Sequence, residues 1–423
     1  MWFCRAQLGE KKRDDVAPVI DAHMIETGDS PPGARGDADH RGRPVVPSIV
    51  QAVTFQASSV AELQALVGGT TFYGRHGNPT VALTEDAIAA LEEAPCALAF
   101  GSGMAAITTT LIALLRAGDH LVAQEQLYGA TFDFVRHWLP RLGVEVTLVD
   151  ARVPDSFGRA VRPNTRVIYV ESPTNPLLGL VDLRRIAELA RTRQLVSVVD
   201  STFASPINQR PHRLGIDVVA HAATKYLSGH SDLLAGAVTT SAQIAERLHP
   251  ARTCLGGVLD PHAAWLLLRG LKTLALRVER QNASALRIAD FLSRDERIGR
   301  VYYPYHHSHP QHRLARRQML GGGGVVSFEL AADPERTRLM VEGLRRFRLA
   351  VSLGGVESLV TIPACGTHAV MSPDERAAAG VSDQLVRLAV GIEPVEDLID
   401  DLSQALNLSF AGARREAMAS EKT

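Results

Sequence analysis

The sequence has little of several features that mark large protein classes, and each shortage excludes one class. Its 423 residues include only four cysteines, none in a C-x-x-C pair, which favours neither a disulfide framework nor a zinc site. The formal net charge of -1 excludes the basic patch that binding to nucleic acid or an anionic membrane requires. No apolar run reaches the ~18 residues of a membrane-spanning helix, and no secretory signal core is recognisable. We therefore expect a cytoplasmic protein with a small-molecule partner and no bound metal.

Lysine is also rare, because only five of the 45 basic residues are lysines and the rest are arginines. The lysines are Lys11, Lys12, Lys225, Lys272 and Lys422. Between the two terminal segments, every basic residue is an arginine except Lys225 and Lys272. We expect Lys272 to be a helix-surface or subunit-packing residue, whereas the neighbours of Lys225 indicate chemistry.

The distribution of charged, apolar and glycine-rich segments divides the chain into three parts. Residues 1–45 combine a charge run with Pro31-Pro32-Gly33 and are predicted to form a mobile arm. Residues 46–260 alternate short apolar runs with helical patterns, which is typical of a mostly parallel sheet covered by helices. The predicted strands are 98–100, 120–123, 144–150, 166–170, 195–200 and 217–221, and the predicted helices include 80–93, 103–115 and 182–193.

Beyond Pro250 the pattern changes, and residues 261–423 predict a smaller α+β domain. A long helix over 261–294 is expected to join this domain to the larger one. The other predicted elements are strands 300–303, 325–330 and 385–390 and helices 334–347 and 396–406. The expected fold class is therefore α/β, with a large domain built on a mostly parallel sheet and a smaller α+β C-terminal domain.

Four features near predicted strand ends suit a carbonyl cofactor such as pyridoxal phosphate (PLP). Lys225 follows strand 217–221 and could bind the cofactor aldehyde, and Asp200 ends a buried strand and could pair with the ring nitrogen. The turn 101–103 opens a helix whose free backbone N–H groups suit a phosphate. Tyr128 follows another strand and could lie against the ring.

The glycine turn permits a second interpretation. Gly101-x-Gly103-x-x-Ala106 also satisfies the dinucleotide fingerprint, and Glu125 lies about where a ribose-binding acid would follow. This alternative predicts a nicotinamide-dependent oxidoreductase, but it gives Lys225 no role. A third interpretation is a PLP-fold protein that binds without catalysis.

Seven segments of the sequence resemble, in order, the motifs of one known family. They are Phe72-Tyr-Gly-Arg-His-Gly-Asn-Pro-Thr80, Gly101-Ser-Gly-Met104, Glu171-Ser-Pro-Thr-Asn-Pro176, Asp200-Ser-Thr-Phe203, Ala223-Thr-Lys-Tyr-Leu-Ser-Gly-His-Ser-Asp232, Ser352-Leu-Gly-Gly-Val-Glu-Ser358 and Val386-Arg-Leu-Ala-Val-Gly-Ile-Glu393. The family is that of the Cys/Met-metabolism PLP enzymes, which includes cystathionine γ-synthase, cystathionine γ-lyase, methionine γ-lyase and the homoserine-ester sulfhydrylases. The resemblance runs from about residue 45 to 407 and implies the fold-type-I PLP architecture.

The resemblance also implies a role for individual residues. Lys225 would hold PLP and move protons, and Tyr128 would stack on the ring and assist departure of the leaving group. Arg387 would bind the substrate α-carboxylate through a bidentate pair. The implied cofactor-binding set is Tyr73, Arg75, Gly103, Met104, Tyr128, Asp200, Thr202, Thr224 and Lys225, and the implied substrate set is Asn175, Ser352 and Arg387.

The segment 45–80 implies shared active sites. In the family, the positions of Tyr73 and Arg75 reach the phosphate bound by the neighbouring subunit. The resemblance therefore implies a homo-oligomer, at least a dimer and commonly a tetramer.

Some positions depart from the family pattern. Ala222 stands where a serine is usual, which removes one phosphate hydrogen bond worth ~1 kcal/mol. Phe72 and Val351 stand where enzymes that handle cystathionine carry acidic residues. A pocket without a fixed negative charge is therefore expected, with Asp133 the first alternative source of one.

These features together predict a PLP-dependent lyase or transferase that acts on Cγ–S or Cγ–O bonds by γ-elimination or γ-replacement. The apolar positions favour methionine γ-lyase or an O-acylhomoserine thiol-lyase. Cystathionine γ-synthase or γ-lyase is the alternative, because Gly355-Val-Glu-Ser358 is closer to the synthase and Ala130 stands where methionine γ-lyases carry a cysteine. The sequence does not name the substrate.

Overall fold

The computed structural model describes residues 44–153, 155–366, 368–369 and 372–420. The predicted arm of residues 1–45 lies almost wholly outside the described residues. In the described part, the helices alternate with the strands of two sheets. They are α1 Val60–Leu66, α2 Pro79–Glu92, α3 Gly103–Leu114, α4 Gly129–Asp133, α5 Ser156–Ala160, α6 Leu183–Arg193, α7 Ser205–Asn208, α8 Ala242–Leu255, α9 Pro261–Leu271, α10 Leu274–Ser293, α11 His312–Gln318, α12 Pro334–Glu342, α13 Pro373–Ala378 and α14 Val395–Ser420.

The larger sheet has seven strands within the described residues, in the order β1-β7-β6-β5-β4-β2-β3. They are β1 Cys96–Phe100, β2 His120–Gln124, β3 Glu145–Val149, β4 Thr165–Glu171, β5 Val196–Asp200, β6 Val218–His221 and β7 Gly236–Thr240. The run β6-β5-β4-β2-β3 is parallel, and β7 is antiparallel to both of its neighbours. The mostly parallel α/β class expected from the sequence is confirmed.

Alternating side chains of the central strands enter two different cores. On β4, Val167 and Tyr169 pack beneath α3 and α8, whereas Ile168 and Val170 pack beneath α6 on the opposite face. All four side chains are fully buried. Burial of each apolar side chain of this size contributes roughly 1.5–3 kcal/mol, which fixes the register and hence the position of the strand ends.

The smaller sheet has five strands within the described residues, in the order β10-β11-β12-β9-β8. They are β8 Ile298–Tyr302, β9 Val325–Leu330, β10 Arg348–Leu349, β11 Leu359–Thr361 and β12 Leu385–Ala389. This sheet shares one core with α10, α12 and α14. A domain boundary at residue 260 stays a prediction.

Two expectations about helices differ from the structure. The helix expected over 261–294 is divided into α9 and α10, because Arg277 donates to the Gly270 carbonyl at 2.9 Å and to the Thr273 hydroxyl at 3.1 Å and so satisfies the polar groups at the break. The helix expected over 334–347 is shorter, since α12 ends at Glu342.

None of the helices in the described ranges combines the length and the apolar character that crossing a membrane requires.

Candidate active site

The candidate site lies at the carboxyl edge of the larger sheet, where the smaller sheet faces it. The parallel strands β4, β5 and β6 end there at Glu171, Asp200 and His221. Lys225 follows β6 by four residues, and Tyr128 follows β2 at the same interval. Loops at this edge are the usual place for ligands in open parallel sheets.

Lys225 is held in a tight turn with its amine directed at the loop between β10 and β11. The Lys225 N–H donates to the Ala222 carbonyl at 3.0 Å, and its Nζ donates to the Ser352 hydroxyl at 2.8 Å. Burial and the nearby Arg387 guanidinium lower the pKa of Lys225 to about 8. About one-tenth of the amine is therefore neutral at pH 7, which is the form that reacts with a carbonyl.

Ser352 connects the amine to a buried arginine. While its hydroxyl accepts from Lys225, its carbonyl accepts from Arg387 Nη2 at 3.0 Å. Its φ of 102° lies in the left-handed region that a residue with a side chain rarely adopts. Gly354 follows with φ 75°, and a Cβ there would lie 2.7 Å from the Tyr226 nitrogen, so the chain passes against the Lys225 turn only with glycine at this position.

Arg387 lies in the middle of the smaller sheet, on β12, and only 2% of it is exposed. Its Nη1 donates to the Asn175 side-chain oxygen at 2.8 Å, and its Nε is buried without a partner among the described residues. Burial lowers the pKa of Arg387 to about 10. A buried guanidinium with an unused donor suits an incoming carboxylate.

Asp200 is buried at the end of β5, and burial raises the pKa of its carboxyl group. Thr202 opposes this effect by donating to Asp200 Oδ1 from its backbone N–H at 2.9 Å and from its hydroxyl at 2.5 Å. The same hydroxyl accepts from the Ala222 N–H at 2.8 Å. Thr202 therefore joins the Asp200 strand end to the turn that carries Lys225.

The N-terminus of α3 lies against the residue that departs from the family pattern. A Cβ on Gly103 would lie 2.7 Å from the Cβ of Ala222, so the close approach requires glycine. The Ser102 side chain caps this helix by accepting from the Ala105 N–H at 3.0 Å. Met104 follows Gly103 in the first turn, where backbone N–H groups have no carbonyl partner within the helix and can bind an anion.

Thr224 and Tyr128 lie at the site but differ in how accessible their side chains are to a ligand. The Thr224 hydroxyl donates to the Ala235 carbonyl at 3.2 Å and accepts from its N–H at 2.9 Å, so its described bonds remain within the chain. Tyr128 is 43% exposed, as a residue that packs on a ligand can be. The phosphate role of Thr224 stays a prediction.

Tyr73 and Arg75 are exposed and contact another part of the chain. The Arg75 guanidinium lies 5.5 Å from the Tyr73 ring centroid and donates to the Thr253 carbonyl in α8 at 2.9 Å. The described contacts of these two residues do not include the residues around Lys225. A role in a neighbouring subunit's site stays a prediction.

Glu171 has no role predicted from the sequence, although it opens one of the seven motifs. Its carboxylate is buried at the end of β4, and it accepts from the backbone N–H groups of Tyr128 and Asn175. Burial and the neighbouring Asp200 carboxylate raise the pKa of Glu171, and the two backbone N–H donors oppose this rise. The available signal was a carboxylate that ends a buried strand next to the strand of Asp200.

Val351 is 60% exposed and faces a cavity of about 570 Å³ that also contains Ser352 and Thr224. Asp232, Glu357 and Arg348 line the same cavity. The cavity therefore contains charged residues of both signs, and the expected absence of a fixed charge for the substrate stays a prediction. Phe72 contacts His76 instead, with 5.5 Å between ring centroids.

Asp133 lies in a different place, at the end of α4. Its Oδ2 accepts from the Trp138 indole N–H at 3.2 Å, and it lines a second cavity together with Met104 and Ala130. It therefore lies near the N-terminus of α3 and away from Val351.

The residues present fit PLP. The buried site supplies an amine of lowered pKa, a carboxylate at a neighbouring strand end, and a helix N-terminus that only glycine can form against Ala222. The nicotinamide alternative finds no comparable support, because β1 is an edge strand that the antiparallel β7 separates from the parallel run.

Comparisons with known proteins agree with this fit. The model of the family described as "Cys/Met metabolism PLP-dependent enzyme" matches residues 33–407. The chain is 45% identical over 337 residues to L-methionine gamma-lyase of Fusobacterium nucleatum subsp. polymorphum, covering 79% of this chain and 85% of that protein. It is 44% identical over 335 residues to cystathionine gamma-lyase of Bacillus subtilis, covering 79% and 88%. Among solved structures, cystathionine gamma synthase from Xanthomonas oryzae pv. oryzae, in complex with aminoacrylate and cysteine, matches with a TM-score of 0.83 and 39% identity over 87% of this chain and 94% of that one.

Proposed function

The chain belongs to the Cys/Met-metabolism PLP-dependent enzymes, and on that basis we propose that it catalyses γ-elimination or γ-replacement on a homoserine-derived or sulfur amino acid. The observation that carries the proposal is that Ser352 joins the Lys225 amine to the Arg387 guanidinium. An α-amino acid carries its reacting carbons next to its carboxylate. A carboxylate held by Arg387 would therefore bring those carbons close to Lys225.

Each assigned residue would then have a defined task. Arg387, fixed by Asn175 and Ser352, would bind the α-carboxylate and orient the substrate. Lys225 would take a proton from the substrate Cα and move protons to and from the adjacent Cβ, since its pKa of about 8 makes it a base at neutral pH. Asp200 would keep a proton on the cofactor ring nitrogen, and Tyr128 would lie on the ring. PLP, when bound, supplies an aldehyde for the substrate amine and a ring that accepts electron density.

Gly103 and Met104 would bind the cofactor phosphate at the N-terminus of α3. Thr202 would act through Asp200, because it donates two hydrogen bonds to that carboxylate. The effect of Ala222 on PLP affinity is a matter for measurement, since its side chain packs at the same helix end.

For the far end of the substrate, we propose an uncharged group such as a thioether, thiol or ester, as in methionine γ-lyase or an O-acylhomoserine thiol-lyase. Val351, Leu233 and Leu234 give the cavity apolar wall. Arg348 lies in the same cavity and offsets part of the negative charge there.

Asp232 and Glu357 favour a second candidate, cystathionine γ-synthase or γ-lyase activity. Their carboxylates could receive the distal ammonium group of cystathionine or of an incoming cysteine. Relatives with methionine gamma-lyase and cystathionine gamma-lyase names are 45% and 44% identical to this chain, so identity does not separate the two candidates.

We also propose a homo-oligomer, at least a dimer and commonly a tetramer, in which Tyr73 and Arg75 reach the phosphate in a neighbouring subunit's site. The exposure of both residues is consistent with such a contact. A cytoplasmic location is part of the proposal and rests only on the small number and scattered positions of the cysteines in the sequence.

A substrate panel tests the proposal. L-methionine, L-homocysteine, L-cystathionine and the O-acetyl and O-succinyl esters of L-homoserine are each incubated with and without a thiol, and 2-oxobutanoate and new thioether are measured. Release of 2-oxobutanoate indicates elimination, and a new thioether indicates replacement. Asp232→Asn separates the candidates, because it should weaken turnover of cystathionine and leave that of methionine unchanged. Absence of a lysine-bound PLP absorbance band, or of any turnover, would reject the proposal.

A further inference from the structure

Glu171 is a buried carboxylate that fixes two separate segments of the candidate site. It ends β4, and only 4% of it is exposed. Its Oε2 accepts from the Tyr128 N–H at 2.8 Å, and its Oε1 accepts from the Asn175 N–H at 3.0 Å. Both oxygens are thus used by backbone donors that lie 43 and 4 residues away in sequence.

The two segments carry different parts of the site. Tyr128 precedes α4, where its carbonyl accepts from the Phe132 N–H at 2.9 Å, and its own N–H is held by Glu171. The Asn175 side-chain oxygen accepts from Arg387 Nη1 at 2.8 Å. Glu171 is therefore connected to the Arg387 guanidinium through Asn175. It is also connected to the residue whose ring is proposed to lie on the cofactor, through the Tyr128 backbone.

The position of Glu171 makes a buried carboxylate energetically unfavourable, which indicates that it does more than fill space. In the sheet register Glu171 lies directly beside Asp200. In the described part of the chain, no hydrogen bond links the two carboxyl groups. A second buried carboxylate at this position destabilises the folded protein unless its hydrogen bonds offset the loss of solvation. A glutamine would satisfy a merely structural need for volume without this repulsion.

We propose that Glu171 is a positioning residue that holds the Tyr128 ring and the Asn175–Arg387 pair in one fixed relation. The proposal rests on the proposed function for its kinetic consequence, but its structural consequence is independent of any reaction. Because a single carboxylate accepts both bonds, removal of one acceptor oxygen should release one segment directly and loosen the other.

The test variant is Glu171→Gln, which keeps the size of the side chain. Its NH₂ group would face one of the two backbone N–H donors, so one bond would be lost and a donor would oppose a donor. In the cofactor-free protein, amide hydrogen exchange measured by mass spectrometry should rise at least about tenfold in the peptides that contain Tyr128 and Asn175. In the loaded enzyme, KM should rise at least about tenfold for every substrate, with a smaller loss in kcat.

Asp401→Asn is the matched control. Asp401 is also buried, at 5% exposure, and accepts from the backbone N–H groups of Arg345, Arg346 and Phe347, none of which has an assigned role in the site. It should lose protection at 345–347 and stability, with KM unchanged. Where Glu171→Gln does not accumulate as folded protein, Glu171→Asp serves as the second variant, because it keeps the charge but is one methylene too short to reach both donors.

Unchanged exchange in either the Tyr128 or the Asn175 peptide would overturn the proposal, as would a Glu171→Gln enzyme that loses stability but keeps the wild-type KM. If the wild-type protein turns over none of the substrates while both peptides lose protection, the proposed function fails and the positioning role stands. The two claims therefore fail separately.

Discussion

Replacement of Arg387 by lysine tests the substrate-carboxylate assignment. The guanidinium is buried and uses Nη1 for Asn175 and Nη2 for the Ser352 carbonyl, which leaves its unpartnered Nε and its remaining N–H groups for a ligand. A lysine presents three donors on a single atom and cannot bind both protein oxygens and a carboxylate in the same way.

The expected magnitude follows from the bond that is lost. A hydrogen bond between charged groups contributes about 1.5–3 kcal/mol, so losing one bond to the carboxylate raises KM by roughly 10- to 100-fold. Because every α-amino acid carries this carboxylate, the increase should be similar for all members of the substrate panel.

Steady-state kinetics over the substrate panel gives the measurement, with Arg252→Lys as the control. Arg252 is likewise 2% exposed, and its Nη1 donates to the Ala99 carbonyl at 2.9 Å and to Glu85 on α2. The control should lose stability without a uniform rise in KM. A change in Arg387→Lys that is confined to one substrate would refute the assignment.

Three further predictions concern Lys225 and the cavity. Lys225→Arg should lose the PLP absorbance band and several orders of magnitude in rate. The control Lys272→Arg, at the exposed break between α9 and α10, should retain both the band and the rate. Near-normal activity of Lys225→Arg would contradict the assignment of Lys225. Because the pKa of Lys225 is lowered from 10.5 to about 8, the unfolded chain binds more protons than the folded one between these values, so the free energy of unfolding of the cofactor-free protein should gain a rising contribution from pH 8 to 10.5. Urea denaturation should show this contribution in the wild type, and an identical pH slope in Lys225→Met would count against it. Finally, the wild type should prefer uncharged thioethers over cystathionine by at least ~10-fold in kcat/KM, about 1.4 kcal/mol, and Val351→Glu should narrow this gap; a wild type that prefers cystathionine would contradict the prediction.

The strands of the larger sheet were largely predictable because each is a continuous apolar run. The runs that end at Asp200 and His221 place both residues at one edge, and this followed from the parallel pattern alone. In contrast, β7 was not predicted, because four of the five residues in Gly236-Ala-Val-Thr-Thr240 are small or polar. Gly236 is needed there since a Cβ would lie 2.0 Å from the Ser102 carbonyl.

The site was predictable in its residue types and not in its connections. Lys225, Asp200 and Arg387 could be named from motifs, but the bonds that bring Lys225 and Arg387 to Ser352 span 127 and 35 residues. Such contacts depend on how the two sheets face each other, which local patterns do not encode. The cavity carboxylates Asp232 and Glu357 were missed for the same reason, because the expected charge positions came from Phe72 and Val351.

The one-residue step from Val351 to Ser352 has an evolutionary consequence. The Ser352 hydroxyl accepts from the Lys225 amine, so a substitution that removes it should lower activity, whereas the Val351 side chain lines the cavity and is 60% exposed. Selection can therefore change what the cavity accepts at one position while the adjacent position keeps the chemistry intact. We therefore expect single substitutions at Val351 to alter substrate preference while the bond between Lys225 and Ser352 is kept.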